Sequence, residues 1–124
     1  MSGDVLKRRD RVHALRQQRG DYTSAEHLFR LGLAINRLIR GDTHASVAMS
    51  LNNLAVLRRK QGVYAEAEDL YSEALRIRNE LYPEPSLDTA LSMENYAALL
   101  RARDEFGRAE DLFREVLAIR REVL

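Results

Sequence analysis

Residues 64–77 read YAEAEDLYSEALRI, and the same pattern stands twice more in the chain, as YTSAEHLFRLGLAI over 22–35 and FGRAEDLFREVLAI over 106–119. The blocks begin at Tyr22, Tyr64 and Phe106, a constant interval of 42 residues. In that register Ala25, Ala67 and Ala109 coincide, as do Leu28, Leu70 and Leu112, and Ile35, Ile77 and Ile119. Fixed-interval self-similarity of this length is the signature of a repeat architecture, in which each unit buries its apolar face only against its neighbours. Weaker echoes precede each block: HALRQQRGD, AVLRRKQGV and AALLRARDE.

Each unit reads as two helices. In the middle unit Val47, Leu51, Leu54, Ala55 and Arg58 recur at helical spacing, which predicts a helix over about 46–61. Gly62 ends it, since glycine alone enters the left-handed terminating conformation at little cost. A second helix runs from Tyr64 to about Leu81, with Ala67, Leu70, Tyr71, Ala74, Leu75 and Ile77 as its buried stripe. Pro83 and Pro85 stop it, and Ser86 or Asp88 can cap the next helix. Gly20 and Gly41 punctuate the first unit in the same way; the third has Asp104 where the turn glycine should be. Six helices in three antiparallel hairpins follow, as units of about 5–40, 46–82 and 88–124 in one domain, 1–124.

These residues resemble the tetratricopeptide repeat (TPR), with Leu54-Ala55, Gly62, Tyr64, Ala67, Tyr71 and Ala74 filling its positions in order. The 42-residue period is similar to the longer variety found in kinesin light chains. The resemblance implies an all-α, right-handed superhelical solenoid whose first helices line a concave trough, and a non-catalytic protein-interaction scaffold. The first unit departs from the pattern, with no asparagine pair and more basic charge.

The asparagines of SLNNLAVL are the candidate site. Advancing about 100° per residue, Met49, Asn52, Asn53, Val56, Arg59 and Lys60 lie away from the packing face set by Leu51. The matching arc of the third unit holds Leu91, Glu94, Asn95, Ala98 and Arg101, and that of the first holds Lys7, Asp10, Arg11 and Ala14. An amide both donates and accepts, so Asn52, Asn53 and Asn95 can hold a peptide backbone whatever its side chains. The resemblance implies the same for Asn53 and Asn95, which stand where peptide-binding repeats place such an asparagine. Arg11, Arg59, Lys60 and Arg101 would favour an acidic ligand.

Other chemistry is poorly represented. Twenty Lys and Arg against nineteen Asp and Glu leave a net charge of +1, without the basic excess of a nucleic-acid binder. The basic run from Lys7 to Arg19 lacks interleaved aromatic stacking platforms. There is no cysteine, and His13, His27 and His44 have no metal-ligand spacing, so neither metal nor cofactor is expected. No phosphate loop or hydrolase motif occurs, and pairs such as Glu68-Asp69 and Glu110-Asp111 recur with the repeat as scaffold on exposed faces. No apolar run approaches a membrane span or a secretory leader, so a soluble cytoplasmic protein with no membrane partner is the expectation. The chain ends within a second helix, where Val116, Ile119, Val123 and Leu124 would be partly bare. That predicts a homodimer through this end, or a piece of a longer array. A self-assembling module without a peptide ligand is the alternative function.

Overall fold

The computed structural model describes residues 2–84 and 86–123, with the side chains of residues 2–6, 10 and 13–17 excepted. The described chain is entirely helical: α1 (Ser2–Arg40), α2 (Ala45–Lys60), α3 (Tyr64–Leu81), α4 (Leu87–Ala102) and α5 (Phe106–Val123). Each helix packs on the next, α2–α3 and α4–α5 form antiparallel hairpins, and α2 also touches α4. Between α3 and α5, or α1 and α3, no Cα atoms approach within 8 Å among the described residues. The leading helices α2 and α4 therefore sit closer together than the trailing ones. They form the inner side of the arch.

The hairpin turns follow from backbone chemistry. At the α2–α3 turn Gly62 takes φ +78°, the Gly62 N–H donates to the Arg59 carbonyl (2.9 Å) and the Val63 N–H to the Arg58 carbonyl (2.9 Å). The α4–α5 turn repeats this one period later, with Asp104 N–H to Arg101 (3.0 Å) and Glu105 N–H to Leu100 (2.8 Å). There Asp104 itself adopts φ +61°, a left-handed conformation that costs a residue with a Cβ roughly 1 kcal/mol or more. Ser86 caps α4, its hydroxyl accepting the Thr89 N–H at 3.1 Å, while the α2 cap is His44, whose Nδ1 accepts from Ser46 N–H at 3.0 Å. Leu81 ends α3 before Pro83 as expected; Pro85 lies outside the described residues.

The core is a chain of three clusters along the array. Val47, Leu51, Leu54, Ala74 and Ile77 fill the α2–α3 hairpin with Leu33 of α1. Ala55, Ala67, Tyr71 and Leu99 join α2 and α3 to α4. Ala90, Met93 and Val116 close the α4–α5 hairpin. All five aligned positions Ala67, Tyr71, Ala74, Ile77 and Leu54 are 0% exposed.

Two expectations are corrected here. The first unit is not a hairpin: residues 2–40 form a single 39-residue helix that runs through Gly20, so among the described residues five helices stand where six were expected. A helix tolerates one glycine at about 1 kcal/mol, and only a packed partner repays interrupting it. The repeat interval sets Arg9 where the second unit has the fully buried Leu51, so residues 5–19 offer too little apolar surface to hold a turn closed. Nor is Val116 partly bare, as was expected of the C-terminal end. Val116 is 2% exposed inside its own hairpin, being the equivalent of Ala74, and Ile119 is half-buried against the same cluster. Of that set Val123 is exposed (44%), and Leu124 lies outside the described residues.

Candidate functional site

The inner face is built by the rotation of α2 and α4. Met49, Asn53, Val56 and Lys60 occupy one side of α2, away from the α3 contact, and Leu91, Asn95, Ala98 and Arg101 are their counterparts on α4 or lie beside them. Asn53 and Lys60 are exposed, Asn95 half-buried and Arg101 exposed. Met49 (58% exposed) and Leu91 (51%) stand one period apart. They add an apolar edge that the polar reading of the sequence left out, although helical spacing had already put both on this arc. Toward α1 the face deepens into a cavity of about 280 Å³ lined by Ala25, Phe29, Asn53, Val56, Leu57 and Lys60. A larger one of about 470 Å³ adjoins it through Lys60, with Tyr22, Thr23, Arg58 and Gln61 among its walls.

Not every expected residue reaches this face. Asn52 is only 7% exposed and its Oδ1 is closed to solvent with no hydrogen-bond partner, so it does not line the open trough. One step of 100° from Leu51 turns it toward the side on which Ala55 meets Leu99 of α4. Arg59 is half-buried beside it. Arg11 is exposed but lies eleven residues before Tyr22 on the continuous α1, about 16 Å further along that rod. Without a turn at Gly20 it does not join the trough.

The charges divide into two sets. Those at the joints between helices are paired. Arg58, 16% exposed at its side chain, bridges Glu26 of α1 (3.2 Å) and Glu66 of α3 (3.0 Å), and Arg30 also binds Glu66. Hydrogen bonding from Arg30, with Arg58 close by, holds the Glu66 carboxyl below the usual range. One joint further on, Glu68 accepts from the Tyr96 hydroxyl (2.8 Å), Arg108 (2.9 Å) and Arg103 (2.5 Å), and Arg108 lies over the Tyr96 ring at 5.9 Å. The Tyr96 bond, then the Arg108 bond, lower the Glu68 carboxyl; burial, then the Glu68 bond, raises the Tyr96 phenol. Glu68 is thus a joint residue and not the exposed one the repeat pattern suggested. Arg78, 7% exposed, donates to the Asp88 carbonyl (2.6 Å) and the Ser92 hydroxyl, and burial lowers its pKa. By contrast, among the described residues no carboxylate lies within 4 Å of Arg59, Lys60 or Arg101. The inner face carries uncompensated positive charge.

Comparison with known proteins agrees with this architecture. The family model described as Tetratricopeptide repeat matches residues 9–80 and again 46–122. The chain is a tetratricopeptide-repeat protein. It is of the 42-residue, kinesin-light-chain-like variety. A similar solved structure is BtubC (BKLC) from P. vanneervenii, with a TM-score of 0.79 and 28% identity over 85% of this chain. The match takes in 41% of that protein, so this chain spans about two fifths of its length. No curated protein matches the sequence. Tetratricopeptide repeats generally mediate protein–protein interaction, on a fold that is typically a non-catalytic scaffold. Among the described residues no cluster of three or more His, Cys, Asp or Glu could hold a metal, and no helix is long and apolar enough to cross a membrane.

Proposed function

We propose that the inner face of α2 and α4 binds an extended, acidic segment of a partner protein. The observation that carries the reading is the pairing of equivalent amides with unpaired cations. Asn53 and Asn95 stand 42 residues apart on adjoining inner helices, beside the exposed Lys60 and Arg101, whereas the arginines of the helix joints already have carboxylate partners. Amides one repeat apart can hold successive stretches of one backbone, and the cations select acidic side chains around it. Met49 and Leu91, each one turn before its asparagine, offer apolar contact at the edge of that face.

The test is fluorescence anisotropy with labelled decapeptides, an acidic series against its charge-reversed counterparts. Acidic peptides should bind and weaken with added salt. Replacing Asn53 and Asn95 together by alanine should lower affinity at least about thirtyfold, at about 1 kcal/mol or more per lost backbone-paired amide. Equal binding of both series, or indifference to the double substitution, would refute the reading.

A further inference from the structure

The half of α1 that packs on α2 uses Tyr22, Ala25 and Leu33, and Arg30 and Arg37 reach over to α3. Its other side is apolar and uncovered: Leu28 is 68% exposed, Leu31 58%, Ile35 46%, Leu38 87% and Ile39 73%. One period later the comparison is sharp. Ile77, the counterpart of Ile35, is 0% exposed, and Ala74, the counterpart of Gly32, is likewise 0%. A Cβ added at Gly32 would meet nothing within 4 Å.

Two of these residues exceed what the repeat asks for. Leu31 stands where the second and third units have Glu73 and Glu115, and Leu38 stands where they have Glu80 and Glu122. A first-unit hairpin, closed as α2–α3 is closed, would leave both positions facing water. Folding residues 5–19 back would therefore not account for the two leucines, and those residues are already part of the continuous α1. Together Leu28, Leu31, Ile35 and Leu38 alternate at intervals of three and four, the seam of a two-helix coiled coil. That seam stops in both directions, at Asp21 and Ser24 before it and at Gly41 and Asp42 after it.

We infer that this seam pairs with the same seam of a second copy, the two α1 helices running antiparallel about a two-fold axis level with Leu33. Antiparallel packing sets Leu28 opposite Leu38 of the second copy and Leu31 opposite Ile35 of the second copy, with no charge in any of the four layers. Gly32 and Ala34 flank the axis, and their small size lets the helices approach closely. Because α2 lies on the opposite side of α1, the inner face stays open in the dimer. The five exposed side chains amount to on the order of 600 Å² per copy, so the pair would fall near the lower bound for a specific interface, about 1,200 Å² in total. An isologous contact of this kind closes at two copies.

Light scattering across a dilution series, with circular dichroism as a check on helix content, tests the pairing. Wild type should weigh twice 14.3 kDa at tens of micromolar and dissociate on dilution, as a small interface requires. Leu31→Glu and Leu38→Glu install the residue of the other units at exposed sites, and should give a monomer of unchanged helicity. The chain has no cysteine, so Ala34→Cys supplies a single reporter near the axis. It should form a covalent dimer on mild oxidation, and adding Leu38→Glu should abolish it. A monomer at all concentrations, expected if residues 5–19 or another polypeptide own this face, would overturn the inference. So would a dimer or a cross-link indifferent to the glutamates.

Discussion

Tyr71 is fully buried, and its hydroxyl has no hydrogen-bond partner among the described residues. Burial alone pushes its phenol pKa up, opposed only by the charge of Arg59. Leaving a buried polar group unpaired costs about 1–3 kcal/mol, whereas a satisfied tyrosine hydroxyl contributes about 0.5–1.5 kcal/mol. The sign of Tyr71→Phe therefore depends on which situation holds. The ring packs with Ala55, Ala67 and Leu99 and lies 6.0 Å from the Tyr96 ring, contacts that phenylalanine keeps. Phe29 and Phe113 occupy the equivalent positions of the other units, so the substitution also suits the repeat. Removing the hydroxyl forfeits a few tenths of a kcal/mol of dispersion and relieves the unpaired oxygen, for a net gain of about 1 kcal/mol. Urea unfolding should show a higher midpoint at unchanged slope, and Tm should rise by about 4 °C for a domain of this size. A loss of stability beyond 0.5 kcal/mol would refute the reasoning, because it would mean the hydroxyl is bonded.

Asp104→Gly should stabilise by roughly 0.5–1 kcal/mol in the same assay, since glycine adopts φ +61° without Cβ strain and the equivalent Gly62 already does so. The pH dependence follows from Glu66 and Glu68, whose folded carboxyls lie below the ordinary value of 4.5. The unfolded chain takes up protons first, so their stabilisation is complete above about pH 4.5 and is lost as pH falls from there through the folded values. Glu68→Gln should flatten that decline in acid titrations of Tm, and an unchanged profile would remove Glu68 from the account.

Much of this arrangement was readable from the spacing alone, because α2 to α5 obey local rules that agree with their packing. Gly62, Pro83 and Ser86 end or start helices where their backbone preferences say they should, and the buried stripe of α3 matches its helical period. The first unit failed where tertiary energy had to decide. Gly20, Gly62 and Asp104 occupy one register position, yet the glycine sits inside a helix while the aspartate makes the turn. Packing of the flanking helices outweighs the residue at the bend: Ala90 and Met93 meet Val116 in one hairpin, while Arg9 answers Gly32 in the other. Within the site, Asn53 and Asn95 fell where rotation placed them. Asn52 did not, because a helical wheel for one helix omits the neighbour that covers its flank, and Val116 was misjudged for the same reason. Arg11 was lost with the missing turn.

Among the described residues the Cα atoms of α3 stay beyond 8 Å from those of α5, and those of α1 from α3. Only side chains such as Arg30–Glu66 and Arg108–Glu68 reach across, so cooperativity is largely a local matter. Each helix is held by the adjoining one or two, so amide protons should exchange in a gradient, fastest at Ser2 and Val123 and slowest around Leu51, Leu54 and Ile77. A ligand gripping α2 and α4 together would cross that gradient and knit two hairpins into a single unfolding unit. Binding would then be visible as delayed exchange in α5, a helix the ligand never touches.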